Sequence, residues 1–544
     1  MNASLMDVMM QIFRQHLAVL PVLLPAFTAM LMLLIGDRDS LPRLRRIALV
    51  SVALGLLFAL KLAFEADTGS LRVYRVGDWP APFGIVLVID RLSAMMLVMT
   101  QVVALPVLFY ATGGWDSHGR HFHALFQFQL MGLNGAFVTG DLFNLFVFFE
   151  ILLIASYVLL LHGQGRERFR VGIQYVAINL AASALFLIGV SLIYASVGTL
   201  NMADLAQRVP LVTGDDAVML RAAALILLVV FGVKAALLPL YLWLPATYAA
   251  ASAPVAALFA VMTKVGVYSI VRVHGVIFGQ DAGASALTVE PWLLPLALGT
   301  STLAVLGVLA AHTLPRMVAY ITVASVGTIL AAFGLFSQSA WSAALYYMAH
   351  STLVIAALFL LVELVSAQRG DAADRLEPGA PVAQPALLGL LMLLAAASAA
   401  GLPPLPGFIG KLMVLQASSG HHAQAWIWSV VLAVGFLTLI ALARAGSVLF
   451  WSVRPELKAE SGGAGASPRL VLATVALLAA GVAMSVLASP LKRYTDATAA
   501  QLVDLRAYQE AVLGGVGVRT TQPYVFPRPA GDAESQTDAD EGGR

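Results

Sequence analysis

Asp141-Leu142-Phe143-Asn144-Leu145-Phe146-Val147-Phe148-Phe149-Glu150 opens an apolar run that continues to about Leu161. Asp141 is suited to start a helix at a membrane surface. Glu150 lies nine residues further on, roughly 13 Å along a helix. That depth is near the middle of a hydrocarbon layer of roughly 30 Å. A carboxylate there costs at least about 2.5 kcal/mol on the insertion scale, so it faces the protein interior, takes a partner and marks an ion or proton path. The remainder of the sequence is read as a search for that partner.

Composition sets the class. The chain has 544 residues, 60% hydrophobic and 11% charged, with a mean hydropathy of +0.86. That is a polytopic membrane protein. A net charge of +2 gives no nucleic-acid reading, and the absence of cysteine excludes disulfides, thiol nucleophiles and thiolate metal sites. The first apolar run has no basic segment or small-residue cleavage site around it, and is read as a retained helix. Runs of spanning length fall at about 15–35, 46–66, 84–111, 122–139, 141–162, 169–197, 219–240, 254–278, 292–312, 315–336, 341–366, 385–416, 425–451 and 470–489, about fourteen helices in all.

Basic residues follow odd-numbered helices: Arg38, Arg43, Arg45 and Arg46 after the first, Arg166, Arg168 and Arg170 after the fifth, Arg369 and Arg375 after the eleventh, Arg454, Lys458 and Arg469 after the thirteenth. Those loops are predicted to be cytoplasmic and both termini outside. Past Pro490 the composition changes. Residues 497–513 suit a surface amphipathic helix, and 523–544 read as a disordered tail.

Four more ionisable side chains fall well inside predicted spans: Lys234, Lys264, His350 and Lys411. Snorkelling to water suits Lys61 and Arg272 near helix ends, but not Lys234 or Lys264, which have apolar sequence on both sides. Burial and neighbouring charge shift proton affinity in opposite senses. Glu150 and these four therefore make a row of groups with tunable proton affinity, the material of a proton relay. Static ion pairs locking helices together are the plain alternative, and three lysines to one glutamate fit that poorly.

Prolines mark two of the lysines. Pro239 and Pro245 follow Lys234, and Pro403, Pro404 and Pro406 precede Lys411. A proline removes a backbone donor, and irregular backbone at membrane depth survives only against protein or a wet cavity. Helices 7 and 12 are therefore predicted to be discontinuous. The breaks lie five helices apart, which fits two inverted five-helix repeats: residues 122–278 (helices 4–8) and 292–451 (helices 9–13). Residues 1–121 hold helices 1–3, 470–489 helix 14, and 490–544 a C-terminal extension.

The run 140–150, the Lys234-to-Pro245 segment, Thr263-Lys264-Val265-Gly266-Val267-Tyr268 and Gly401-Leu402-Pro403-Pro404-Leu405-Pro406-Gly407-Phe408-Ile409-Gly410-Lys411 together resemble the proton-translocating antiporter-like subunits of Mrp-type (Mnh or Pha) multisubunit cation/proton antiporters and of respiratory complex I. The resemblance covers about residues 1–490 and is nearest to the D subunit of the Mrp type, because the 141–150 wording has the Mrp form and the A subunit carries a large further extension. It implies that Glu150 and Lys234 form a coupled pair, that Lys264 is a central lysine, His350 a linking group and Lys411 a terminal lysine near the exit. It also implies work within a complex of other Mrp-type subunits (A, B, C, E, F and G), with H⁺ and Na⁺ or K⁺ as the transported ions.

Other charges are given plainer expectations. Asp90 and Arg91 are a local pair, His312 and Arg316 lie at a membrane face, Glu363 reaches water, and Arg444 is buried in helix 13 without a role. No cofactor, metal site or catalytic residue is expected. The reading is an all-α transporter subunit passing protons through the buried row, coupled to cation efflux. Its rivals are a proton-pumping subunit of a complex I-like or hydrogenase complex, a non-conducting scaffold subunit, and a stand-alone secondary transporter.

Overall fold

The computed structural model of the chain describes residues 15–36, 40–454 and 465–514. The first helices are α1 (Leu20–Ile35), α2 (Leu41–Asp67), α3 (Arg91–Ala111), α4 (Phe122–Val138), α5 (Leu142–Leu161) and α6 (Arg166–Val197). A short α7 (Met202–Arg208) leads to α8 (Gly214–Ala235), α9 (Trp243–Ala250) and α10 (Ala253–Ile270), the last extended by a π-turn, Val271–Gly275. Next come α11 (Glu290–Leu309), α12 (Leu314–Phe333), α13 (Gln338–Ser366), α14 (Pro385–Ala400), α15 (Pro406–Ala417), α16 (Gln424–Phe450), α17 (Pro468–Val486), α18 (Ala488–Val503) and α19 (Arg506–Leu513). Among the described residues, eleven helical segments are long and apolar enough to cross a membrane, and α1 and α14 are shorter apolar helices. The chain is a multi-pass membrane protein.

Contacts between connecting segments sort the helix ends into two groups. At the end carrying the basic loops, His162 Nε2 meets the Trp115 carbonyl at 2.8 Å, Arg168 donates to the Ala250 carbonyl and Arg469 to the Thr112 carbonyl. Arg45 pairs there with Asp116 at 2.6 Å. At the opposite end Arg272 meets Asp90, Gln280 donates to the Phe336 carbonyl, and Ser342 meets Thr495.

Burial identifies the centre of the bundle. The apolar window of Ala253–Gly275 is 100% buried and those of α12 and α13 are 89% buried, whereas α2 and α16 reach 33% and α17 28%. The core is therefore α10, α12 and α13, with α10 packed chiefly between α8 and α13, and the outer helices present apolar side chains outward, as lipid or neighbouring subunits require.

Two backbone crossings recur at opposite ends. The Leu142 N–H donates to the Leu200 carbonyl and the Met202 N–H to the Gly140 carbonyl, each at 2.9 Å. The Leu314 N–H donates to the Asp374 carbonyl at 2.8 Å and the Leu376 N–H to the His312 carbonyl at 2.9 Å. Each crossing ties the start of one helix (α5 or α12) to the segment after the next helix (α6 or α13).

Several boundaries differ from the sequence reading. Residues 84–89 do not begin a helix. Val86–Ile89 form strand β2, antiparallel to β1 (Arg72–Arg75), and Asp90 then caps α3 by accepting from the Ser93 N–H at 2.8 Å. The predicted surface helix 497–513 is α18 and α19, starting at Ala488 and interrupted at 504–505. It is no free surface helix: Tyr494 donates to the Arg91 carbonyl, the Arg91 N–H donates to Gln501, and Ser342 donates to Asp496 at 2.6 Å. The amphipathic pattern records packing on the bundle's end. The predicted tail 523–544 lies outside the described residues.

Candidate functional site

The first break follows from Pro239 and its neighbours. α8 ends at Ala235, and Ala236 takes the left-handed conformation at φ 63°. The Leu237 N–H closes back on the Gly232 carbonyl at 2.8 Å, a helix-ending bond. The indole N–H of Trp243 caps the Val233 carbonyl at 3.0 Å, and the Leu238 N–H bonds Thr300 Oγ1 at 2.9 Å. Side chains thus satisfy the backbone that the proline leaves irregular at membrane depth. Pro245 lies in the first turn of α9, where a missing N–H costs nothing. It starts a helix; it does not break one.

Lys234 is in the last turn of α8 and only 6% exposed. Its Nζ donates to Asn179 Oδ1 of α6 at 3.0 Å and lies 5.8 Å from the centroid of the Phe149 ring. Asn179 is oriented by its own Nδ2, which donates to the Tyr175 carbonyl at 2.8 Å. Glu150 is half-buried on α5, and its Oε1 accepts from Ser183 Oγ at 2.5 Å. Among the described residues no carboxylate lies within 4.0 Å of Lys234, and Glu150 and Lys234 are each bonded instead to a side chain of α6. Asn179 and Ser183 are four residues apart and so share one face of α6. Sequence reading passed over both, though two polar residues at helical spacing inside an apolar span were a usable signal. Phe149, Phe186 and Phe231 close the surroundings as mutually packed rings.

Lys264 is fully enclosed on α10, and among the described residues its Nζ donates to Thr263 Oγ1 at 3.3 Å. Its helix touches the first break directly. A Cβ at Gly266 would fall 2.4 Å from the Ala235 nitrogen and 2.7 Å from the Lys234 carbonyl carbon. Only glycine admits that approach.

The second break lies between α14 and α15. Gly401 is left-handed at φ 86°, the Leu402 N–H bonds the Ala397 carbonyl at 2.9 Å, and Pro403 and Pro404 fill the gap. Pro406 opens α15 at its first turn. Lys411 reaches back from α15 to donate to the Ala400 carbonyl at 2.7 Å and the Ala399 carbonyl at 3.5 Å. His350 of α13 is 1% exposed and stands beside the break: a Cβ on Gly407 would meet its Nε2 at 2.8 Å and the Ser398 oxygen at 2.0 Å. His350 Nδ1 is buried without a hydrogen-bond partner among the described residues.

Five of the remaining charges depart from expectation. Arg272 does not snorkel. It is buried in the π-turn and holds Asp90 through two bonds of 2.6 and 2.9 Å, so Asp90 pairs across the bundle and not with Arg91. Burial alone would raise the Asp90 carboxyl, but Arg272 and Ser93 overcome it and hold it below the usual range. Arg91 instead bonds the Asp67 carbonyl at 2.5 Å. Glu363 does not open to water: Oε1 accepts from the Trp115 indole and Oε2 is buried without a partner among the described residues. Arg444 lies on the exposed face of α16, not in the interior. His312 and Arg316 are exposed at the basic-loop end, as expected.

The sequence profile of a family described as NADH:quinone oxidoreductase/Mrp antiporter, transmembrane, matches residues 139–440, a segment that holds both breaks and Glu150, Lys234, Lys264, His350 and Lys411. The chain belongs to this family. Within the Mrp antiporter branch it is similar to the D subunit of a probable K(+)/H(+) antiporter of Rhizobium meliloti, 43% identical over 534 residues, 92% of this chain and 97% of that protein. It is also similar to the D subunit of the Na(+)/H(+) antiporter of Alkalihalophilus pseudofirmus, 36% identical over 501 residues, 92% of this chain and 99% of that protein. Among solved structures, a chain of the Mrp complex from Dietzia sp. aligns with a TM-score of 0.81 and 27% identity, over 92% of this chain and 99% of that one. A chain of respiratory complex I from Thermus thermophilus shares the fold, with a TM-score of 0.72 and 23% identity over 90% of this chain and 99% of that one. Among Mrp antiporter proteins this chain resembles the D subunits, which are components of transporters and not enzymes.

Proposed function

We propose that the chain is the proton-conducting subunit of a multisubunit Na⁺ or K⁺/H⁺ antiporter, with Glu150, Lys234, Lys264, His350 and Lys411 as its relay. In this reading a proton bound at one group alters the affinity of the next, and the Glu150–Lys234 distance controls the first step. Proton movement down its gradient drives the cation outward. Partner subunits of the Mrp type complete the machine, the basic loops face the cytoplasm, and residues 122–278 and 292–451 are inverted repeats.

One observation carries the reading. Lys234, Lys264, His350 and Lys411 lie in or beside the two helix breaks and the enclosed helix between them, Glu150 and Lys234 bond the same helix α6, and most of the five lack a compensating charge within 4.0 Å among the described residues. Static ion pairs would show such charges. The matching backbone crossings before α5 and α12, and the matching breaks, support the repeat.

The test is cation-dependent dissipation of a pH gradient in inverted vesicles that lack other antiporters, from cells expressing the complete operon. Wild type is compared with Glu150→Gln and Lys234→Ala, with assembly followed by blot. Loss of transport in an assembled complex is the expected result. Transport that survives both changes makes the charges structural, and the protein is then a scaffold.

A further inference from the structure

α6 does more than line the pair. Its Ser183 hydroxyl donates to Glu150 and its Asn179 amide oxygen accepts from Lys234. Both groups sit on one face of one helix, a turn apart. The amide cannot turn its oxygen away from the lysine without giving up the Nδ2 bond to the Tyr175 carbonyl. Tyr175 is itself fixed, its hydroxyl 2.9 Å from Ser156 Oγ and its ring stacked on Trp243 at 5.1 Å. Trp243 in turn caps the Val233 carbonyl beside Lys234. The amide therefore belongs to a closed ring of contacts from α6 to the break and back.

We infer that Asn179 and Ser183 form a latch that holds Glu150 and Lys234 apart, each satisfied by its own neutral partner, so that the closed ion pair forms only when the latch gives way. The inference rests on the relay reading above and adds the device that sets the first gap. Asn179 is a positioning residue: it takes no proton and acts through Lys234. The charged group acting on Lys234 is Glu150 of α5; Tyr157 of α5 acts on Glu150, the Tyr175 carbonyl of α6 holds Asn179, and the α10 backbone at Gly266 packs on the backbone of Lys234 and Ala235. An acceptor oxygen and a hydroxyl donor suit the charged forms of lysine and glutamate respectively, which is why the separated state can exist in an apolar setting.

The experiment uses the assembled complex in the vesicles described above, with Asn179→Leu, Asn179→Asp and Ser183→Ala, and records transport across neutral and alkaline pH. Asn179→Leu is expected to lower the rate about tenfold or more, the scale of a hydrogen bond to a charged group. Asn179→Asp keeps the acceptor and adds a charge within about 4 Å, so its pH profile should sit about one pH unit or more above that of Asn179→Leu. Ser183→Ala should move the profile with less loss of rate. Profiles of the Leu and Asp variants that superimpose after scaling overturn the latch, as does a Leu variant with wild-type rate. If the Leu variant fails to assemble, Asn179→Ser takes its place in the same comparison. Persistence of transport in both Glu150→Gln and Lys234→Ala would instead sink the relay itself, whatever the Asn179 variants do.

Discussion

The two helix breaks share a backbone and differ in their charge. In each, a left-handed residue (Ala236 or Gly401) is followed by a residue whose N–H closes back on a carbonyl five positions earlier, Leu237 on Gly232 and Leu402 on Ala397. In each, proline fills the gap, Pro239 alone in the first and Pro403 with Pro404 in the second. The lysines, however, come from opposite sides. Lys234 belongs to the helix that ends, and Lys411 to the helix that begins. Lys411 places its ammonium on the last carbonyls of α14, where the helix dipole is negative. At the first break that work is done by a neutral indole, Trp243 on Val233. Lys234 is thereby released from capping and is left to a side-chain amide of α6. The same fold element is thus a clamp at one site and an adjustable contact at the other.

That contrast can be broken by experiment. The largest effect expected is at Lys411. Lys411→Met leaves the Ala399 and Ala400 carbonyls without their cation and should lower the stability of the purified complex by about 1–3 kcal/mol, along with transport. Lys234→Met should abolish transport with much less loss of stability. Thermal unfolding of the two variants side by side decides, and equal losses would erase the distinction. Next comes Trp243→Phe, which keeps the packing but removes the indole donor. A loss of about 1 kcal/mol is expected, together with reduced transport as Lys234 is drawn to the Val233 carbonyl, which then keeps the Ala236 N–H but lacks the indole. Smaller again are the turn residues. Gly401→Ala should cost about 1 kcal/mol because its left-handed φ disfavours a side chain, and the added Cβ would crowd Lys411 at 2.9 Å. Ala236→Gly should stabilise by about 0.5–1 kcal/mol. A melting series that reverses those signs contradicts the shared geometry.

A control lies away from both breaks. Asp116 is buried in the loop between α3 and α4, and although burial pushes its carboxyl up, Arg45 and His123 bring it down to about 2. A depressed carboxyl stabilises the fold above its unfolded value and loses that contribution as pH falls from about 4 towards about 2. Asp116→Asn should flatten that acid limb in thermal melts and leave the pH profile of transport in place.

Much of this was legible from sequence because charge is rare here. Glu150, Lys234, Lys264, His350 and Lys411 stood out against apolar surroundings, and Pro239 and Pro403-Pro404 announced the irregular backbone. What was missed has a common cause. Asn179 and Ser183 carry no charge, and single polar residues in a 32-residue helix do not disturb its hydropathy. Arg272 and Asp90 are 182 residues apart, so only the folded chain brings them into one bond. Residues 84–89 are apolar enough to join a helix, and their strand pairing with Arg72–Arg75 is a long-range fact. Arg444 misled because depth along a helix says nothing about which face a side chain takes.

The enclosure of α10 has a consequence for how such a protein can be built into assemblies. Every residue around Lys264 is supplied by the chain itself, and the helices open to the outside, α2, α16 and α17, stand at the rim. Lys264 sits inside its own insulation. Neighbouring subunits and lipids can be exchanged against the rim while the medium that sets the energy of that charge stays the same.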